Sequence, residues 1–406
     1  MAALIPKYSI RAAKKQTICI AAVAVQTNST RCYASEPRII KNPTTASLKR
    51  GTGGRSSFNG IVCTLFGATG FVGRYVCNRL GKIGTQVIIP YRGDMYNCLP
   101  MKLCGDLGQI LFHPFHIRDE NSIRKCIKYS NVVINLIGRD WETRNFTFHD
   151  VNVEGARRIA RLCKEANIEH FIHLSALNVG DEIESHVLKD GSQFLRSKWE
   201  GEQAVREEFP EATIIRPSDI WGQEDRFLKI YCGILRRHFR TIPMWEKGEK
   251  TEKQPVGVYD VAGGITAIAK DPSTAGKIYQ FVGPKRYKLA DLLDWFYKIR
   301  VRDPIGYGYK RMDLKYTPLF KLKVSLNELV SLAYPLGYMQ WEHLERESIS
   351  DHVLKELPTL EDLGITLTTM ESRMHWELRP YRKDLQYSES VGEFDPVPDP
   401  PVVPIH

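Results

Sequence analysis

The nine cysteines of this 406-residue chain include no C-x-x-C pair, and no stretch of apolar residues is long enough to span a bilayer. The missing pair excludes the usual metal-site spacings and leaves thiols of a reducing compartment, most of them within apolar patterns. The missing span limits any membrane contact to the surface. No internal repeat is present, which excludes a repeat array. Acidic residues are missing from the start: residues 1–35 hold Lys7, Arg11, Lys14, Lys15 and Arg31, with no carboxylate before Glu36. A basic, Ser/Thr-bearing, acid-free start has the composition of a mitochondrial presequence, and Arg31-Cys32-Tyr33-Ala34-Ser35 fits a cut after Tyr33. A short apolar run at 18–25 leaves a secretory signal as the competing reading. The net charge of +10 comes partly from this segment.

With 43% hydrophobic and 26% charged residues, the remainder reads as an ordinary soluble chain, long enough for a full α/β core and a smaller second lobe. Residues 36–57 are polar and glycine-rich and read as an extended lead-in. Short apolar stretches at 61–66, 85–90, 110–116, 132–136, 170–175 and 212–216 then alternate with helical periodicity at 70–80, 121–128, 155–166 and 193–208. Such alternation predicts right-handed crossovers and a doubly wound parallel sheet, a Rossmann-like α/β domain over 58–288.

Past residue 289 the character changes to a smaller, mostly helical lobe, 289–390. Trp295, Phe296, Tyr307, Tyr309, Tyr316, Phe320, Tyr334, Tyr338 and Trp341 are interleaved there with Lys298, Arg300, Arg302, Lys310, Arg311, Lys315, Lys321 and Lys323. An ordinary core with a charged face, a contact with other proteins, and a phospholipid surface all suit that mixture. No nucleic-acid-binding motif accompanies it. Residues 391–406 are proline-rich and read as an extended arm.

Chemistry concentrates at Gly67-Ala68-Thr69-Gly70-Phe71-Val72-Gly73, between an apolar strand and a helical pattern. Gly67 permits the tight turn, Gly70 lets a pyrophosphate approach the backbone, and Gly73 lets the helix pack closely on the sheet. The free N–H groups of that helix start then meet phosphate charge. After the second strand comes Tyr91-Arg92-Gly93, where NAD proteins usually place an acid. The Arg92 guanidinium suits a 2′-phosphate, with Arg74 in support, so NADP(H) is the favoured nucleotide. Asp94 keeps NAD open. Asn135, Leu136 and Ile137 end the fourth strand beside the expected ribose, and Pro217 follows the sixth beside the expected nicotinamide. Asn135 and Pro217 serve equally well as structural strand ends.

Further on, Phe194-Leu195-Arg196-Ser197-Lys198 resembles the Tyr-x-x-x-Lys pair of short-chain dehydrogenases with phenylalanine in place of tyrosine. In that family the phenol protonates a carbonyl, the lysine lowers its pKa and binds ribose, and a serine, here Ser175, orients the substrate. Lys198 keeps the ribose role open, whereas Phe194 has no proton to give; a lost general acid costs ~10²–10⁴-fold. His186 and Asp190 are the candidate replacements on the same segment. By the same resemblance, 256–262 and 279–284 look like late strands of extended members.

Together with Phe66 to Tyr75, Gln86 to Arg92, Gly138-Arg139-Asp140-Trp141-Glu142-Thr143, Arg216-Pro217-Ser218-Asp219-Ile220, Glu224-Asp225-Arg226-Phe227 and Leu360 to Ile365, the chain resembles a more specific family. These are the nucleotide-binding accessory subunits of mitochondrial respiratory complex I (alpha-subcomplex subunit nine), atypical short-chain dehydrogenase relatives. The resemblance implies a matrix-side subunit of the peripheral arm near the membrane-arm junction, with other complex I subunits as partners. It implies a tightly held NADPH that serves structure and assembly rather than electron transfer, contacted by Gly67, Gly70, Gly73, Arg92 and Lys198. An active NADP-dependent reductase or epimerase and an NADPH-sensing regulator are the alternatives.

Overall fold

Val62–Phe66 (β1) is five consecutive buried residues, the pattern of a strand covered on both faces. It lies inside a seven-stranded sheet with Gln86–Tyr91 (β2), Ile110–Pro114 (β3), Val132–Asn135 (β4), His170–Leu174 (β5), Thr213–Pro217 (β6) and Ile278–Phe281 (β7). The spatial order is β7-β6-β5-β4-β1-β2-β3, and every neighbouring pair is parallel. The order reverses at β1 and β4, and such a switch point opens a crevice at the carboxyl ends of the strands. The computed structural model describes residues 49–233, 236–238, 241–301, 310–330, 338–383 and 395–404. The expected presequence, most of the lead-in, and Arg302, Tyr307, Tyr309 and Tyr334 lie outside them.

Helices Phe71–Lys82 (α1), Glu120–Ile127 (α2), Gly155–Glu165 (α3) and Gln193–Glu208 (α4) follow in the expected places, with a π-helical turn, His149–Glu154, leading into α3. Phe227–Cys232 (α5) and Val258–Lys270 (α6) come next. The last of these corrects a sequence expectation, because residues 256–262 are not one strand. Only Val256–Gly257 is extended, and the chain turns helical at Val258. A short apolar run has the same hydropathy in a buried strand and a buried helix, so tertiary packing decides. Here Gly264 lets α6 press on the sheet, where a Cβ would come within 2.7 Å of the Phe281 ring.

A second apolar core lies beyond the sheet. It joins Trp221 and α5 to Ile242 and Met244, to Leu289–Arg300 (α7), and to Met370–Glu377, reached through Pro318–Val330 (α8) and Trp341–Ser348 (α9). Trp295 and Phe296 are buried within it, and Phe320 in a smaller neighbouring cluster, so these aromatics are core. Tyr316 is exposed, and so are Leu319, Leu322, Leu326 and Leu329 along α8. No helix among the described residues is long and apolar enough to cross a membrane. The described tail at 395–404 packs on the rest of the chain: Val397 lies on the second core, Pro400 is buried, and Val403 bridges to Arg286.

Candidate functional site

The cleft at the switch point is a cavity of about 340 Å³. Its floor is the glycine loop. Gly67 has φ +82°, a left-handed value that strains any other residue. A Cβ on Gly73 would lie 2.6 Å from the Ala68 Cα, so only glycine lets α1 start this close to the turn. Gly70 caps α1 without a side-chain hydrogen bond, and the first turn carries no acid. The N–H groups of that turn have no partner within the helix and face a cleft lined by Phe71, Val72 and Gly73. These features suit a pyrophosphate.

Gly67, Gly70, Phe71, Val72, Gly73, Leu136, Ser175, Lys198 and Pro217 line the cavity wall. The remaining sequence candidates do not. Ala68 is buried in the first core. Thr69 belongs to the turn of the glycine loop, and Ile137 packs on the apolar cluster around Phe66 and Phe171. Arg74 is held by Glu224 at 2.6 Å. Asn135 closes the end of β4: its side-chain oxygen accepts the Ile137 N–H at 3.1 Å, and its amide lies 3.2 Å from His173 Nδ1. Burial lowers the His173 imidazole to about 3, so it stays neutral.

At the end of β2, Asp94 accepts the Tyr96 N–H at 3.0 Å and caps the 3-10 helix Met95–Cys104. That use competes with a ribose hydroxyl. Arg92 is exposed, 5.6 Å from the Phe146 ring, which Arg118 also covers at 4.5 Å. Arg139 is held below its ordinary pKa, by burial first and then by the neighbouring cations Arg92 and Arg226. Guanidinium groups that raise one another's energy suit an added anion.

On α4, Ser192 caps the helix by accepting the Leu195 N–H at 3.2 Å, which sets Phe194 and Lys198 one turn apart. The Lys198 ammonium donates to the Leu174 carbonyl at 3.1 Å and lies 5.9 Å from the Phe194 ring. Burial pulls its pKa down to about 8, against the opposing pull of Glu202 and Asp140. The Ser175 hydroxyl is buried with no hydrogen-bond partner among the described residues. The His186 ring lies 5.7 Å from that of Trp245, and the Asp190 carbonyl accepts from Arg196; neither lines the cleft.

The opposite wall of the cleft carries Phe194 together with Lys253, Arg346, Ile349 and Asp351, and Glu342 and Glu345 brace the segments around that wall; apart from Phe194, the sequence reading passed these residues over. Glu342 of α9 accepts the Ser192 hydroxyl, the Phe194 N–H at 2.9 Å and the Gln193 N–H at 3.2 Å. Glu345 takes the N–H groups of His186, Val187 and Leu188 at 2.6–2.7 Å. The Arg346 guanidinium lies over the Phe194 ring at 4.4 Å. Ile349 packs with Phe148, Phe194 and Leu195, and Asp351 accepts the Gln254 N–H at 2.8 Å. Lys253 donates to the Arg346 carbonyl at 3.1 Å. In sequence, Glu342, Glu345 and Arg346 have the spacing of a solvated helix face, and no local signal marks them otherwise.

Residues 63–281 match the NAD dependent epimerase/dehydratase family. The chain is 46% identical over 351 residues to the mouse protein named NADH dehydrogenase [ubiquinone] 1 alpha subcomplex subunit 9, mitochondrial, covering 86% of this chain and 88% of that one. It is 35% identical to the Neurospora crassa NADH-ubiquinone oxidoreductase 40 kDa subunit, mitochondrial, over 83% of this chain and 84% of the relative. Among solved structures, a Staphylococcus aureus nucleoside-diphosphate-sugar epimerase superposes with a TM-score of 0.55 at 15% identity, over 78% of this chain and all of the other. That likeness concerns the fold.

Proposed function

The chain belongs to the NAD dependent epimerase/dehydratase family, among the mitochondrial complex I subunits of the alpha subcomplex subunit 9 kind, and from that premise we propose a non-catalytic accessory subunit of NADH:ubiquinone oxidoreductase that holds NADPH as a structural cofactor. One observation carries this reading. The nucleotide half of the cleft keeps its glycine turn, uncapped helix start and lysine, while Phe194, where the family's acid belongs, lies beneath Arg346 and Ile349. A nucleotide bound there stabilises the folded state by mass action, and through it any interface that depends on the fold. Arg92, with Asp94 already engaged at a helix start, favours the 2′-phosphorylated nucleotide.

The same reading places the protein on the matrix side of the inner membrane after loss of residues 1–35, in the peripheral arm at its junction with the membrane arm. Its partners are neighbouring complex I subunits. In the 289–390 lobe, Leu319, Leu322, Leu326 and Leu329 recur at helical spacing on α8 and are exposed, with Lys315 and Lys321 nearby. Exposed leucines beside lysines suit the headgroup region of an anionic phospholipid surface.

The test is to purify the protein in its native mitochondrial assembly and identify the nucleotide released on denaturation. Near-stoichiometric NADPH, unchanged by turnover and co-migrating with complex I, is the expected result. A free protein whose nucleotide exchanges readily would overturn it and bring the reductase or sensor reading forward.

A further inference from the structure

Two thiols away from the cleft meet across an element boundary. Cys77 on α1 is buried in the first core, and Cys104 at the end of Met95–Cys104 packs against the same core, near enough that each thiol acts on the ionisation of the other. Backbone packing fixes their approach. Gly81 lies one turn past Cys77 on the same face of α1, and a Cβ on it would fall 2.9 Å from the Cys104 carbonyl carbon. Just after Cys104, the Gln109 side-chain amide donates to the Gly81 carbonyl at 3.0 Å and the Thr85 carbonyl at 2.9 Å. The lead-in closes over the same place: a Cβ on Gly84 would fall 2.8 Å from the Gly54 carbonyl oxygen. Arg55 of that lead-in acts electrostatically on Cys104.

We propose that Cys77 and Cys104 form a peroxide-sensitive thiol pair that closes to a reversible disulfide, tying α1 to the segment that follows Arg92. The two thiols are unequal, which sets their roles. Cys104 is half-buried, and its pKa falls to about 7, chiefly through the hydrogen bond from Cys77 and then through Arg55, against the opposing effect of burial. Cys77 is buried and pushed well up by the same contact and by desolvation. Cys104 therefore supplies the thiolate. Its sulfur attacks hydrogen peroxide, the O–O bond breaks, hydroxide leaves, and Cys104 becomes a sulfenic acid. The Cys77 sulfur then displaces the sulfenic oxygen as water, its own proton leaving with it, and the S–S bond forms. One peroxide takes two electrons from the sulfur pair. Cys63, Cys126, Cys163 and Cys232 are buried and their pKa values raised by desolvation, so they react more slowly.

The bond joins the helix that begins at the nucleotide loop to the segment just past the end of β2, so oxidation is felt on both flanks of the loop. Trypsin separates the partners cleanly: Cys77 falls in residues 75–79, Cys104 in 103–118, and Cys98 in the peptide between 93 and 102. The experiment treats the full-length protein with low hydrogen peroxide, blocks free thiols, and maps non-reduced tryptic peptides by mass spectrometry. The expected product links 75–79 to 103–118, is lost on reduction with dithiothreitol, and forms ~10-fold faster near pH 8 than near pH 6, as a thiolate of this pKa requires. Cys77→Ser should leave Cys104 to proceed to sulfinic acid, and Cys104→Ser should leave Cys77 unmodified. Sulfinic acid at Cys104 in the unsubstituted protein without the linked peptide, or faster oxidation of any other cysteine, overturns the proposal.

Discussion

The two halves of the cleft differ in where their determinants lie along the chain. The phosphate-facing part of the nucleotide half is built from Val62–Phe66, the glycine loop and α1, which are contiguous in sequence. The opposite half is closed by contacts such as Glu342 to Ser192, spanning 150 residues, and Glu345 to Leu188, spanning 157. One side presents uncapped N–H groups and crowded guanidiniums to an incoming anion. The other meets its own polar needs with buried carboxylates and lays a cation and an aliphatic side chain over Phe194. A fold shared with a nucleoside-diphosphate-sugar epimerase can thus keep its glycine loop and still wall the opposite side of the cleft with a cation and aliphatic groups around Phe194.

Breaking the nucleotide half should have the largest effect on bound nucleotide. Gly73→Val forces a side chain into the Ala68 backbone, and overpacking of this kind costs about 1–3 kcal/mol or more. Bound nucleotide should be lost and the melting temperature should fall, as read by nucleotide release and differential scanning fluorimetry. On the opposite side, Glu345→Ala removes one carboxylate that satisfies three backbone N–H groups. Each group left unpaired costs about 1–3 kcal/mol. The melting temperature should drop by several degrees, with protection of 186–188 lost in hydrogen exchange, while NADPH is still retained.

Arg92→Glu sharpens the comparison within the nucleotide half. Losing a charge-assisted contact worth about 1.5–3 kcal/mol should weaken NADPH by roughly 10–150-fold in titration calorimetry and leave NADH nearly unchanged. The smallest effect concerns pH. Lys198 is lowered to about 8, so its protonated, hydroxyl-binding form declines as pH rises through that value. Nucleotide affinity should fall between about pH 7 and 9, and Lys198→Met should remove that step.

The strand-helix alternation and the glycine loop were legible because hydropathy period and turn chemistry are local. Parallel pairing of the strands followed from the same alternation, because a strand-helix-strand crossover brings the next strand back in the same direction. The 256–262 segment was misread because a buried helix and a buried strand look alike over so few residues. Arg74 and Asn135 were placed by their neighbours in sequence, yet the structure commits Arg74 to Glu224 and Asn135 to the end of β4 and His173. Glu342, Glu345 and Arg346, around and on the far wall of the cleft, were invisible because charged side chains at helical spacing look solvated until the fold packs them. Phe194 itself was legible; the residues that cover it were not.

The non-catalytic reading is tested most directly by returning the missing phenol. Phe194→Tyr, loaded with NADPH and offered a panel of small aldehydes and ketones, should show no oxidation of the nucleotide above the unsubstituted protein, because the Arg346 guanidinium lies over that ring at 4.4 Å and Ile349 packs in the same cluster. Carbonyl-dependent NADPH oxidation with product formed in equal amount would contradict the non-catalytic reading and mark the cleft as a dormant reductase.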